Sequence, residues 1–223
     1  MIGIIGAVLE EAEAIRNEIK NISEKTIYGI HFYEGEINNQ KVIFVQSGIG
    51  KVNAAITATL LIDKFNVSRV IFSGVAGSLH ESVNVGDVVI GTEIIQYDVD
   101  ATEFGYPKGQ IPQMATLGFK SDEELINKAK KINTKINLSY GKIITGDQFV
   151  SGKDKKISLG NEFQALCVDM ESGSVAQVCY RLGVPFLIVR SISDSVSDVS
   201  GIEYHEFVKK AAKNSVEIIK NIL

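Results

Sequence analysis

The chain has 223 residues, 45% of them hydrophobic, and a formal net charge of −4. That length suits one α/β domain with a large core, and an acidic balance without a basic block argues against a nucleic-acid partner. No apolar run is long enough to span a membrane, and Met1–Gly6 lacks the basic start of a secretory signal, so a cytoplasmic protein is expected. The two cysteines, Cys167 and Cys179, occupy apolar positions and read as buried free thiols. His31, His80 and His205 are scattered without metal-ligand spacing, so no metal site is expected.

Ile2 to Ala7 reads as a strand, and Glu10 to about Lys20 as a helix with Ala12, Ile15 and Ile19 inward. Glu10, Glu11 and Glu13 crowd its first turn. The helix dipole favours acids there, and one of them is also placed to serve as a general base at a strand-end crevice. Thr26 to Gln46 reads as a hairpin turning at Asn38-Asn39-Gln40. Ser47-Gly-Ile-Gly-Lys-Val-Asn-Ala-Ala then opens a helix to Lys64. It fails as a dinucleotide fingerprint, because Asn53 replaces the third glycine, and as a P-loop on spacing. Its glycines instead let backbone and helix amino terminus approach a small ligand, and no cofactor is expected.

Val70-Ile-Phe72 reads as a strand leading into a glycine-rich turn, Gly74-Val-Ala-Gly77, and Val85 to Ile90 as the next strand. Asp98 to Pro112 is a long loop. Phe104, Tyr106, Ile111 and Pro112 make it too apolar to leave in water, so it covers something or packs on a partner. Ser121-Asp-Glu-Glu124 reads as a capping box. Ile143-Ile144 is a strand, followed by the turn Gly146-Asp-Gln-Phe149, whose Phe149 either stacks on a flat ligand or belongs to the core.

Ala165 to Val168 is a strand, Ser172 to Leu182 a helix stopped by Gly183 and Pro185, and Phe186 to Val189 a buried strand. A terminal amphipathic helix with its lead-in loop covers Asp198 to Leu223. The alternation predicts a three-layer α/β/α domain over residues 1–223, with a central twisted mixed β-sheet. Such a βαβ unit brings Asp169, Glu171, Arg190, Ser193 and Asp194 to the carboxyl ends of strands, where α/β sheets bind ligands. The plainer alternative is that Arg190 pairs with a carboxylate and Asp194 caps the next helix.

Taken together, Gly3-Ile-Ile-Gly-Ala with Glu11, Ser47-Gly-Ile-Gly-Lys-Val-Asn-Ala-Ala, Ser73-Gly-Val-Ala-Gly, Asp98-Val-Asp, Gly146-Asp-Gln-Phe, Val168-Asp-Met-Glu and Arg190-Ser-Ile-Ser-Asp resemble one family. It is the 5′-methylthioadenosine/S-adenosylhomocysteine nucleosidases, within the nucleoside phosphorylase/nucleosidase superfamily, and the pieces occur in family order across almost the whole chain. The resemblance implies a nucleoside phosphorylase-like fold that hydrolyses the N-glycosidic bond of both nucleosides and of 5′-deoxyadenosine. Glu11 would activate water, Asp194 would protonate adenine N7, and Glu171 would hold the ribose hydroxyls with Met170 against the sugar. Phe149 would stack on adenine, the Val150 backbone would read its edge, and Gly77 would contact the base. Arg190 and Ser193 would orient the water and the acid, while Val8 and Ile49 complete the implied binding set. Phe104, Tyr106 and Pro112 resemble a loop lent to the neighbouring site of a homodimer, and Tyr204 would close the 5′ side. One departure is Val75, where many members have serine. Valine is more like the epsilonproteobacterial branch, which also cleaves 6-amino-6-deoxyfutalosine.

Breaking a ribosyl–adenine bond passes through an oxocarbenium-like state that needs a proton on the leaving group and a base for water. Glu11 is therefore expected to stay ionised, helped by Arg190, and Asp194 to donate from an apolar-walled crevice. Two rivals remain at this point. A phosphorylase needs a cationic pocket for phosphate, yet of the four arginines, Arg16, Arg69, Arg181 and Arg190, only Arg190 is well placed. A non-catalytic nucleoside sensor would keep Phe149 and Glu171 but has no need of Glu11 and Asp194 together.

Overall fold

The structure, a computed structural model, describes residues 1–196 and 201–223, with the side chains of all of these except 201–206. Asp198 and the side chain of Tyr204 therefore lie outside the described residues. In chain order the elements are β1 (Ile2–Gly6), α1 (Leu9–Arg16), β2 (Lys20–Ile27), β3 (Ile30–Ile37), β4 (Gln40–Gln46), α2 (Lys51–Phe65), β5 (Arg69–Ser78) and β6 (Val88–Gln96). A single 3-10 turn (Thr102–Phe104) precedes β7 (Phe119–Lys120), α3 (Glu123–Ala129), β8 (Leu138–Thr145), α4 (Lys153–Phe163), β9 (Ala165–Asp169), α5 (Ser172–Leu182), β10 (Phe186–Asp194) and α6 (Gly201–Ile222).

All the strands belong to one mixed sheet, ordered β10-β6-β8-β9-β5-β1-β4-β3-β2, with β7 on β6. Its central strands alternate between two helical layers, as the period of two in a strand requires. Ile5, Ile43, Val45, Phe72 and Ile188 face a core shared with Ala54, Ala58 and Leu61 of α2 and Val175, Ala176 and Cys179 of α5. Ile4, Val42, Phe44, Ile71, Leu187 and Val189 face the opposite core, with Ala12 and Ile15 of α1 and Ile218, Ile219 and Ile222 of α6. A third cluster, with Leu159 and Phe163 of α4 against Ile95, Ile144 and Val168, closes the end nearest the strand tips.

The decisive feature is β5. Its first part pairs in parallel with β1, and Val70 to Gly77 pair in parallel with β10, while Gly77 and Ser78 at its tip also pair antiparallel with Val168 and Cys167 of β9. The sheet thus folds back on itself, β5-β10-β6-β8-β9 making a closed ring. Gly74 to Gly77, expected as a turn, is continuous strand, and glycine is needed because other groups press against it. A Cβ on Gly74 would stand 1.8 Å from Arg190 Nη1, and one on Gly77 2.9 Å from Asp194 Oδ2.

Other boundaries also moved. The first helix ends at Arg16 rather than Lys20, because β2 starts there and pairs with β3, adding a strand to the expected hairpin. The turn at Asn38-Asn39 holds, both residues with positive φ, but Gln40 already belongs to β4. β6 begins at Val88, after a turn in which Asp87 accepts from the Asn84 amide. Ser121 is not the cap of α3: Asp122 is, its Oδ1 accepting from the Leu125 amide at 3.0 Å. Helix α4 had no counterpart in the sequence reading.

Candidate active site

A cleft opens where the tips of β5, β9 and β10 meet, and the sequence places a polar group at each tip. Its lining brings together Val8, Ile49, Gly77, Phe149, Val150, Met170, Glu171, Ser193 and Asp194, with Val75, Ala76 and Asp169. Phe149 stands 62% exposed at its mouth, so its ring is not core. Phe104, Tyr106 and Pro112 are not in this lining; Phe104 is 83% exposed on the outer loop.

Glu11 is not in this lining: it is fully buried on the first turn of α1, hydrogen-bonded to the backbone of the lining residues Ala7 and Val8. Its Oε2 accepts from the Ala7 and Val8 amides at 3.3 and 3.4 Å. Its Oε1 has no hydrogen-bond partner among the described residues. Burial pushes its pKa from 4.5 to about 7, against the pull of the Arg190 charge and the two amides. Arg190 does pull Glu11 towards the ionised form, as expected, but desolvation outweighs that attraction. A carboxyl poised near neutrality is a better base for water than an ordinary one, since it holds a proton once it has taken it.

Arg190 is wholly buried and does not line the cleft. Its Nε donates to Asp169 Oδ2 at 2.6 Å, and its Nη2 lies 4.0 Å from Glu171 Oε2. Its Cζ lies 4.0 Å from the centre of the Phe72 ring. The plainer reading of this arginine as a carboxylate's partner is the one the geometry supports. Asp169 is the hub that sequence reasoning underrated: it also accepts from Thr145 Oγ1 at 2.5 Å, from Ser172 Oγ and from the Ser172 amide. This arrangement pins the start of α5 and hence Glu171.

Glu171 has its Oε1 on the Gly50 amide at 2.9 Å, at the N-terminus of α2. Burial, then the neighbouring Asp169 charge, raise its pKa. The glycine loop is locked in turn by Lys51, whose Nζ donates to both oxygens of Asp98 at 2.8 Å, while the Lys51 amide donates to Asp147 Oδ1 at 2.9 Å. Three motifs far apart in sequence are thereby tied to the cleft's rim.

Asp194 ends β10 with Oδ1 accepting from Ser193 Oγ at 3.0 Å. Oδ2 accepts from Lys156 Nζ at 2.6 Å, and the same ammonium donates to the Ser195 carbonyl at 2.6 Å. Lys156 was missed in the sequence. Its signal was present: Lys156, Leu159, Gly160 and Phe163 form the buried face of α4 at helical spacing, with a lysine in a core position.

The family model of the Phosphorylase superfamily matches residues 1–223. The chain is 42% identical over 226 aligned residues to a 5′-methylthioadenosine/S-adenosylhomocysteine nucleosidase of Staphylococcus haemolyticus, covering 100% of this chain and 99% of that one. Its fold is similar to the nucleosidase of that name from Neisseria meningitidis in complex with methylthio-immucillin-A, with TM-score 0.93, 37% identity and coverage of 99% and 97%. It is also similar to a futalosine hydrolase of Helicobacter pylori, with TM-score 0.92, 37% identity and coverage of 99% and 96%.

Proposed function

The chain belongs to the 5′-methylthioadenosine/S-adenosylhomocysteine nucleosidase family of the phosphorylase superfamily, and we propose that it hydrolyses the bond between ribose C1′ and adenine N9 in these nucleosides. Phe149 stacks on the purine and the Val150 backbone reads its edge, while Glu171 takes the ribose hydroxyls next to Met170. Val8, Ile49 and Gly77 shape the walls. Asp194, oriented by Ser193, gives its proton to N7. The C1′–N9 electron pair passes to the purine, water adds to C1′, and the water's proton goes to Glu11. Arg190 acts through Asp169 and Glu171 rather than on the water. The domain spans 1–223 and works in the cytoplasm.

The observation that carries water over phosphate is the lining itself: among the described residues it holds neither lysine nor arginine. Arg190 is buried on Asp169, Lys51 is held by Asp98, and Arg69 donates to Glu124 at 2.6 Å. Lys156 is likewise held, by Asp194, so a phosphate dianion would meet no cation in the described lining, whereas Glu11 and Asp194 suit water.

A homodimer belongs to this reading, with Phe104, Tyr106 and Pro112 lent to the neighbouring site. Exposed Phe104, Val52 and Ile56 support it, the last two stacked one turn apart on α2. Val75 in the lining and the likeness to a futalosine hydrolase favour 6-amino-6-deoxyfutalosine as a second substrate. The test is adenine release from methylthioadenosine, with the sugar identified, in phosphate-free buffer and then with phosphate. Free methylthioribose at a rate indifferent to phosphate is expected. A phosphate-dependent sugar 1-phosphate overturns the hydrolytic reading, and no adenine at all leaves the sensor.

A further inference from the structure

A buried lysine on the proton donor is unexplained by the reaction as described. Lys156 is 1% exposed, and its ammonium bridges Asp194 Oδ2 and the Ser195 carbonyl, each at 2.6 Å. A charge so deeply buried is costly unless it answers another charge. Among the described residues the other buried cation is Arg190, which is bound to Asp169 at 2.6 Å. Lys156 therefore stands where it can answer the charge that Asp194 carries once its proton has left.

We propose that Lys156 is a positioning residue for the proton transfer, holding Asp194 in register and stabilising the carboxylate that Asp194 becomes. The proposal rests on the reading of Asp194 as the donor to adenine N7. The carboxyl proton goes to N7, the C1′–N9 pair goes to the purine, and a negative charge is left on Asp194, which is only 7% exposed. An ammonium already in place there stabilises that charge without rearranging, as preorganised groups do. Ser193 Oγ on Oδ1 and Lys156 on Oδ2 together fix the carboxyl plane. Lys156 also lies on α4, the helix that follows directly from Phe149 and Val150, so the base-binding loop and the acid are joined by one short segment.

The test compares two leaving groups, adenine in methylthioadenosine and 4-nitrophenolate in 4-nitrophenyl 5-methylthioriboside, which departs without a proton. Lys156→Met is expected to lose about 10²-fold in kcat on methylthioadenosine, with KM within about threefold. On the nitrophenyl substrate the loss is expected to stay under about threefold, the pattern also expected of Asp194→Asn. Lys156→Arg is expected to recover about tenfold or more of the loss. Lys156→Gln, which keeps a donor but no charge, provides the same comparison if the methionine variant fails to fold. Equal losses on both substrates would make Lys156 a structural staple and overturn the proposal, as would no loss on either. Wild-type enzyme that releases no adenine would instead overturn the reading of the site.

Discussion

Glu11→Gln replaces a buried carboxyl by its neutral isostere, and the structure sets what should follow. Lifting Glu11 from 4.5 to about 7 on folding costs about 3 kcal/mol at roughly 1.4 kcal/mol per pH unit. The sign follows from linkage. A folded value above the unfolded one means that the native state holds the proton more tightly, so stability falls as pH rises from 4.5 to about 7. Above that range the full cost is present, and below pH 4.5 none of it is. Glutamine removes the cost but also removes an anion that Arg190 attracts, so a net gain of about 1–3 kcal/mol is expected at pH 8. In a chain of this size that corresponds to a rise of roughly 2–10 °C in Tm, shrinking towards zero at pH 4.5. Activity on methylthioadenosine should drop about 10²–10⁴-fold, because glutamine cannot take water's proton. Thermal unfolding of both proteins across this pH range, with kcat alongside, tests both halves. A variant no more stable at pH 8, or one within tenfold of wild-type turnover, would refute the account of Glu11.

Phe149→Ala should raise KM for methylthioadenosine about 5–100-fold through loss of base stacking, with Tm almost unchanged because the ring is 62% exposed; a KM within twofold would count against stacking. Gly74→Ala drives a Cβ to 1.8 Å from Arg190 Nη1 and must dislodge a buried ion pair, so a loss of about 3–5 kcal/mol is expected in urea unfolding. A loss below about 1 kcal/mol would show that the guanidinium can move aside.

Much of the site was legible because it is local. Strand, polar tip, helix, strand over Ala165 to Asp194 has the periods and stop signals of a βαβ unit, and a strand's end fixes where its next residues stand. Glu171, Ser193 and Asp194 could be placed in this way; position in the first turn left Glu10, Glu11 and Glu13 open, and only the family resemblance singled out Glu11. The shortfalls came where distant segments compete. Lys20 carried the expected helix onward until pairing with Glu36 of β3 claimed it for β2. Ser121 scored as a cap, yet the chain's path into α3 gave that place to Asp122.

The amino-acid order alone determined the alternation of elements, the buried character of β1, β4, β5 and β10, and the acid residues at the tips of β9 and β10, since these follow from short-range periodicity and sterics. Only the tertiary structure decided which charges meet. It turned the glycines of β5 from a turn into a strand that closes the sheet, because Arg190 and Asp194 fill the space their side chains would need. It gave Arg190 to Asp169 and Lys156 to Asp194, pairings 21 and 38 residues apart. It also set Glu11 near neutrality, because desolvation depends on everything packed around a group and on nothing in its immediate sequence.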